Sequence, residues 1–225
     1  QANRRHRYGA SIGYATDTRA RGQFAWDDRR VNEHGHRAKV ALTASSVLNE
    51  IVGRYVIPVM DVALEKLEFS AALRDEELGD TESKRAEVGA GLTQVRGRWQ
   101  RVMFVTLSQE ETTLPATSTE PETKNDAFLI IPGISYSTLP SYITGGKRRP
   151  YSVYAELRGS PATLGSDSSF LQFRSQVERI YPISDLWSAR GRFELGTSWV
   201  DDFSELPASQ RFFAGGDRSV RGFGL

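Results

Sequence analysis

Between Trp187 and Trp199 the chain alternates without a break, and that alternation restricts what it can fold into. Trp187, Ala189, Gly191, Phe193, Leu195, Thr197 and Trp199 fall on one side of an extended strand, with Ser188, Arg190, Arg192, Glu194, Gly196 and Ser198 on the other. Successive strand residues point to opposite faces. One face is therefore apolar and framed by tryptophan, and the other carries charge at mid-strand. The core of an ordinary β-sandwich would not accept that charge, because an ion taken out of water needs a partner.

The same period recurs. Leu67, Phe69, Ala71 and Leu73 oppose Lys66, Glu68, Ser70, Ala72 and Arg74; Tyr151, Val153, Ala155 and Leu157 oppose Ser152, Tyr154, Glu156 and Arg158. Trp99, Met103, Val105 and Leu107 oppose Gln100, Phe104 and Thr106, with Arg101 interrupting the apolar row. Ala20, Gly22, Phe24 and Trp26 oppose Arg19, Arg21, Gln23 and Asp27. A helical period is nearly absent. The pattern predicts strands near 7–16, 19–31, 36–48, 50–58, 65–78, 83–96, 98–110, 127–138, 150–164, 169–181 and 187–200.

Length decides between a soluble sheet and a membrane barrel. Trp187 and Trp199 are twelve residues apart, which at about 3.3 Å per residue and a tilt of about 45° spans roughly 28 Å. Outer-membrane barrels carry an apolar band about 25 Å tall with aromatic residues at both rims. Trp26, Trp99, Trp187 and Trp199 are expected in such a girdle, and Tyr8, Tyr14, Tyr55, Tyr136, Tyr151 and Tyr181 also fall near strand ends. Soluble strands usually run five or six residues; these are about twice as long. The expected fold class is all-β, an antiparallel transmembrane β-barrel of the outer-membrane type.

Composition agrees once strands rather than helices do the crossing. Charged residues make up 25% of the chain and mean hydropathy is −0.44. No stretch approaches the roughly 20 apolar residues of a membrane helix, but a barrel strand needs only about ten alternating ones. A net charge of +1 argues against a partner bound by neutralising phosphates, so no nucleic acid is expected. The absence of cysteine removes disulfides and thiolate metal sites. The histidines are His6, His34 and His36, and the His34-Gly35-His36 pair sits in a turn-forming run with no third ligand near in sequence. Asp27-Asp28 and Asp201-Asp202 are paired carboxylates at strand ends, where solvated rims are commoner than acid–base dyads. No nucleotide-binding or nucleophile motif is present. The expectation is a protein that is not an enzyme and uses no cofactor and no metal.

Connections alternate between long and compact. Glu110 to Asp126 and the segment after Val200 are long; Asn32 to His36 and Arg96 to Arg98 are short. Long loops belong outside the cell and short turns in the periplasm. Leu139 to Pro150, with its basic Gly-Gly-Lys-Arg-Arg-Pro run, is the long exception at the short end. Gln1 is not an initiator methionine, so the chain is expected to begin as a processed or excised product. An odd strand count, with the chain ending in an outer loop, predicts an incomplete barrel: about eleven strands over residues 1–200, then a truncated loop over 201–225. Its edge strands, 7–16 and 187–200, would curl together, stay open, or pair edge to edge with another copy.

The last fifteen residues, Arg-Phe-Phe-Ala-Gly-Gly-Asp-Arg-Ser-Val-Arg-Gly-Phe-Gly-Leu, narrow the reading further. They resemble the Val-Arg-Gly-Phe/Tyr loop motif of the outer-membrane assembly superfamily that contains BamA, TamA and the two-partner secretion transporters, and most of all its TamA-like form. Gly13 to Thr18, Asn32 to His36, Tyr55 to Pro58 and Phe170 to Pro182 resemble successive barrel segments of the same form. The resemblance implies a barrel of about sixteen strands, with the carboxy-terminal strands and the periplasmic POTRA domains outside this chain. It implies a re-entrant motif loop made of Phe213, Gly215, Gly216, Asp217, Val220, Arg221, Gly222 and Phe223, with Arg221 as its lumen anchor. A guanidinium suits that role as a permanently charged, rigid fork of donors. The usual partner strands of that arginine lie beyond the chain, so Arg221 is expected to find no acidic partner within residues 1–200.

The resemblance also makes the first strand a lateral seam, through Tyr8, Gly9, Ala10, Ser11, Ile12, Gly13 and Tyr14. Glycine weakens a strand, although small residues also suit a sharply curved barrel position. The implied function is insertion or translocation of client barrels such as autotransporters, in the outer membrane of a Gram-negative bacterium. The implied partners are membrane lipids, unfolded outer-membrane proteins and a TamB-like protein anchored in the inner membrane; the fragment itself would be inactive. A two-partner secretion transporter, a BamA-type assembly factor and a passive porin-like channel are the alternatives.

Overall fold

The computed structural model describes residues 4–15, 19–61, 64–78, 81–114, 123–139, 151–184, 186–200 and 206–211. Its strands are β1 (His6–Ala15), β2 (Arg19–Asp28), β3 (Arg37–Ser45), β4 (Leu48–Pro58), β5 (Glu65–Leu78), β6 (Thr81–Arg96), β7 (Trp99–Leu114), β8 (Thr123–Thr138), β9 (Tyr151–Ser160), β10 (Phe170–Pro182) and β11 (Ser188–Val200). They form one antiparallel sheet in simple sequential order, with β1 and β11 as its edges among the described residues. No helix of the described residues is long and apolar enough to cross a membrane.

Burial is inverted relative to a soluble protein. Ile12 is 95% exposed and Phe193 65%, whereas Ser108, Glu110 and Gln172 are each 1% exposed. The exposed apolar residues join in register into continuous rows, such as Phe24, Leu42, Ile51, Leu73 and Ala86 across five strands. A sheet that curls about its polar face makes that face the less accessible one and leaves the apolar rows for lipid. The ladder satisfies the backbone between neighbours, as a hydrocarbon environment demands.

The strands follow the sequence period closely, and they depart from it where a side chain or a proline intervenes. β2 stops at Asp28, whose Oδ1 accepts the Arg30 backbone N–H at 3.1 Å; a side chain there replaces the next ladder bond. β9 stops at Ser160 because Pro161 has no N–H to give, and a short 3-10 turn, Ala162–Leu164, closes on Gly165 in the left-handed region at φ 94°. The largest departure is at β7 and β8. The expected loop from Glu110 to Asp126 is strand at both ends, paired from Glu110 with Ala127 to Leu114 with Thr123. Its Thr, Glu and Lys residues look loop-like, but Thr suits extended backbone, and Glu110 accepts from Ser83 across the sheet and from Thr112 on its own strand.

At the end where β6 passes to β7, Gly97 takes a left-handed φ of 60° in a two-residue hairpin. On the polar face the ring of Phe104 covers Gly133, its register partner on the next strand. A Cβ built on Gly133 would stand 2.4 Å from the Phe104 Cζ, so this glycine is required by packing.

Candidate functional site

Two regions gather the functional side chains: the polar face near the ends of β7 and β10, and the first strand. On the polar face, Leu129 and Ile131 of β8 and Phe170 of β10 form a small buried apolar cluster, with Val200 packed against it. Leu206, from the chain beyond β11, completes that cluster and is 1% exposed. Residues 206–211 therefore lie on the polar face, which is where a barrel lumen is formed.

Polar side chains hold this segment from two strands, β7 and β10. Glu110 of β7 accepts hydrogen bonds from Ser83 Oγ at 3.0 Å and Thr112 Oγ1 at 3.4 Å, and also from Ser209 Oγ. Gln172 of β10 donates through Nε2 to Ser198 Oγ at 3.0 Å and to the Gln210 carbonyl at 2.5 Å, while its Oε1 accepts from Arg158 Nε at 3.0 Å. Within the segment, the Ala208–Gln210 turn is closed by Gln210 N–H donating to the Pro207 carbonyl, and Arg211 Nε donates back to the Leu206 carbonyl at 2.9 Å. A carboxylate as deeply buried as Glu110 needs such donors, since an unpaired one would be costly.

Elsewhere the polar wall carries ion pairs. Arg74 pairs with Glu50, Arg174 with Glu194 at 2.5 Å, Arg190 with Glu178 at 3.4 Å, and Arg54 with Glu68 at 4.0 Å. Among the described residues no group of three or more His, Asp or Glu side chains is arranged to hold a metal ion. His36 Nδ1 is hydrogen-bonded to the Tyr55 hydroxyl at 2.8 Å, and Asn32 Oδ1 accepts the backbone N–H of His34 and His36, which shapes the turn.

The first strand has a neighbour on one side, β2, from His6 opposite Asp28 to Ala15 opposite Arg19. Tyr8, Ile12 and Tyr14 are more than half exposed. A Cβ added at Gly9 or Gly13 would meet nothing within 4 Å, and neither glycine has a positive φ. Neither packing nor backbone conformation in this chain calls for glycine there. The base of the strand is held firmly: Arg5 Nε and Nη2 donate to the Asp28 carboxylate at 3.3 Å, and His6 stacks on Trp26 with centroids 6.1 Å apart. Further along, Ser11 Oγ donates to Gln23 Oε1 at 3.3 Å.

Of the girdle residues, Trp26 lies near the end of β2, Trp99 opens β7 and Trp187 immediately precedes β11, so all three stand at the short-turn end; Trp199 stands at the other, near the end of β11. The motif residues Phe213, Gly215, Gly216, Asp217, Val220, Arg221, Gly222 and Phe223, and with them the expected isolation of Arg221, lie outside the described residues. Sequence reasoning missed Glu110, Gln172, Leu206 and Ser209. Glu110 was absorbed into a loop by its polar neighbours. Leu206 alone left a trace, as an apolar residue directly before proline.

Long antiparallel strands in sequential order, apolar residues on the exposed face, and a chain segment seated on an ion-paired inner face define an outer-membrane-type β-barrel sheet, here left incomplete. The model of the Omp85 superfamily domain matches residues 6–225, and the chain belongs to that superfamily. The fold is similar to that in the crystal structure of BamA from Haemophilus ducreyi lacking POTRA domains 1–3, with a TM-score of 0.83 at 12% identity. That match covers 98% of this chain and 46% of the BamA chain, so this chain spans a little under half the length of that relative.

Proposed function

We propose that this chain is barrel sequence of an outer-membrane insertase or translocation component of the TamA-like kind, acting on client β-barrels such as autotransporters in the outer membrane of a Gram-negative bacterium. The observation that carries the reading is β1: an edge strand among the described residues, whose Gly9 and Gly13 put no side chain over it, where an added Cβ would meet nothing within 4 Å. Such an edge offers backbone N–H and C=O groups to an incoming strand by β-augmentation. The driving force would be burial of client apolar surface in lipid, with its backbone groups satisfied by the ladder, and no nucleotide, metal or other cofactor takes part. The working protein would extend beyond this chain, with a TamB-like partner anchored in the inner membrane, and the piece alone would be inactive.

A cysteine at Ser11 in the full-length protein, in membranes assembling a client barrel with a cysteine in its last strand, tests the seam. Disulfide capture during assembly is expected. Capture that is absent along the whole of β1, from Tyr8 to Tyr14, rejects it. The seating of residues 206–211 on the polar face favours a gated barrel over a passive porin; a large, steady open conductance from the full-length protein would reverse that preference.

A further inference from the structure

At the short-turn end, the exposed apolar face carries a group of arginines with a different pairing from those inside. Arg98 Nη1 donates to the Tyr151 hydroxyl at 2.8 Å, and its guanidinium lies 5.6 Å from the Trp99 ring and 6.0 Å from the Tyr151 ring. Arg179, the register partner of Tyr151 on β10, lies 4.6 Å from the Tyr181 ring. Two guanidiniums thus flank one tyrosine, set among three aromatic rings. On the polar face arginines such as Arg74, Arg174 and Arg190 are each paired with a glutamate. Among the described residues neither Arg98 nor Arg179 forms an ion pair with a carboxylate, and both are exposed.

The neighbouring register row, one step toward the middle of the strands, is apolar, Val153 opposite Val177; beyond it come Ala155 opposite Ser175 and Leu157 opposite Phe173. The surface therefore reads, from rim to centre, as cation and aromatic, then aliphatic. That order matches an amphiphile with an anionic head and an acyl tail. Guanidinium forks bind phosphate oxygens bidentately, and interfacial Tyr and Trp sit at headgroup level. Short turns mark the periplasmic side of such barrels.

We propose that the Arg98–Tyr151–Arg179 cluster is a binding site for the headgroup of an anionic phospholipid in the periplasmic leaflet, with the acyl chain along Val153 and Val177. A soluble anion would gain from the guanidiniums but not from the aliphatic row. A zwitterionic lipid would gain from the row while bringing its own cation to the arginines. The site does not depend on the strand-insertion reading, and its test does not use client assembly.

The test is native mass spectrometry of the full-length protein released from detergent with phosphatidylglycerol or phosphatidylcholine of matched acyl chains. The wild type should retain phosphatidylglycerol preferentially. R98A/R179A should lose that preference, about tenfold in apparent affinity, with phosphatidylcholine retention unchanged. R98K/R179K, which keeps the charge and loses the fork, should fall between them. R190A, a change on the polar face, should match the wild type, and heat-modifiable gel migration should show each variant folded. Equal retention of the two lipids by the wild type would overturn the proposal, as would wild-type selectivity in R98A/R179A. Displacement of the lipid by an equal concentration of inorganic phosphate would also overturn it, by showing that the acyl chain contributes nothing.

Discussion

Gln172, near the start of β10 on its polar face, donates a hydrogen bond to the backbone carbonyl of Gln210 at 2.5 Å and so ties residues 206–211 to the barrel wall. The same amide donates to Ser198 and accepts from Arg158, so one side chain joins β9, β10, β11 and the returning segment.

Gln172→Leu should loosen that segment. It removes both donor contacts and leaves the Arg158 guanidinium without its amide acceptor, at an expected cost of about 1–3 kcal/mol. Limited proteolysis between Val200 and Arg211 in the folded protein should speed up measurably, while strand content by circular dichroism stays unchanged. An unaltered cleavage rate would mean that Leu206 and Glu110 hold the segment without it.

Leu206→Ala should be destabilising by about 2–5 kcal/mol, the range for emptying a buried leucine site, because Leu206 closes the cluster of Leu129, Ile131 and Phe170. Leu206→Met, which nearly conserves volume, should cost less than about 1.5 kcal/mol. Urea unfolding in detergent, followed by tryptophan fluorescence, orders the two variants.

Two glycine substitutions should separate. Gly133→Ala pushes a Cβ into the Phe104 ring and should cost about 1–3 kcal/mol of overpacking. Gly13→Val meets open space and a compatible backbone, so folding should be unaffected or slightly favoured by its β propensity. If β1 is the seam, Gly13→Val should slow client insertion while leaving the unfolding midpoint in place.

Asp28→Asn should release the foot of the first strand. It exchanges a carboxylate that accepts from both Arg5 Nε and Nη2 for a neutral amide, at about 1–3 kcal/mol for charge-assisted bonds. Hydrogen exchange at the backbone amides of His6 to Gly9 should accelerate relative to β4 and β5. Equal protection in the two proteins would show that the ladder with β2 suffices.

The strands and their faces were legible because period two is a local property. Trp187 to Trp199 already separates into an apolar and a charged row, and each neighbouring strand must present its own apolar row to the same side. Asp28 and Pro161 are also local signals, one a side-chain acceptor and the other a missing donor, and each marks a strand end a few residues short of the alternation. The extension of β7 and β8 was not legible, since Glu110, Thr112 and Thr113 are as compatible with a solvated loop as with a ladder. What decides them is the partner strand opposite and Ser83 across the sheet.

The sequence alone determined an antiparallel, inside-out sheet, because hydrophobic order along a strand is written residue by residue. The tertiary structure alone decided that residues 206–211 return to the polar face. Ser209 meets Glu110 across 99 positions and Gln210 meets Gln172 across 38. Separations of that size carry no periodic trace; only the curl of the sheet brings the buried carboxylate, the amide and the apolar cluster to one place, where a returning segment can satisfy all three.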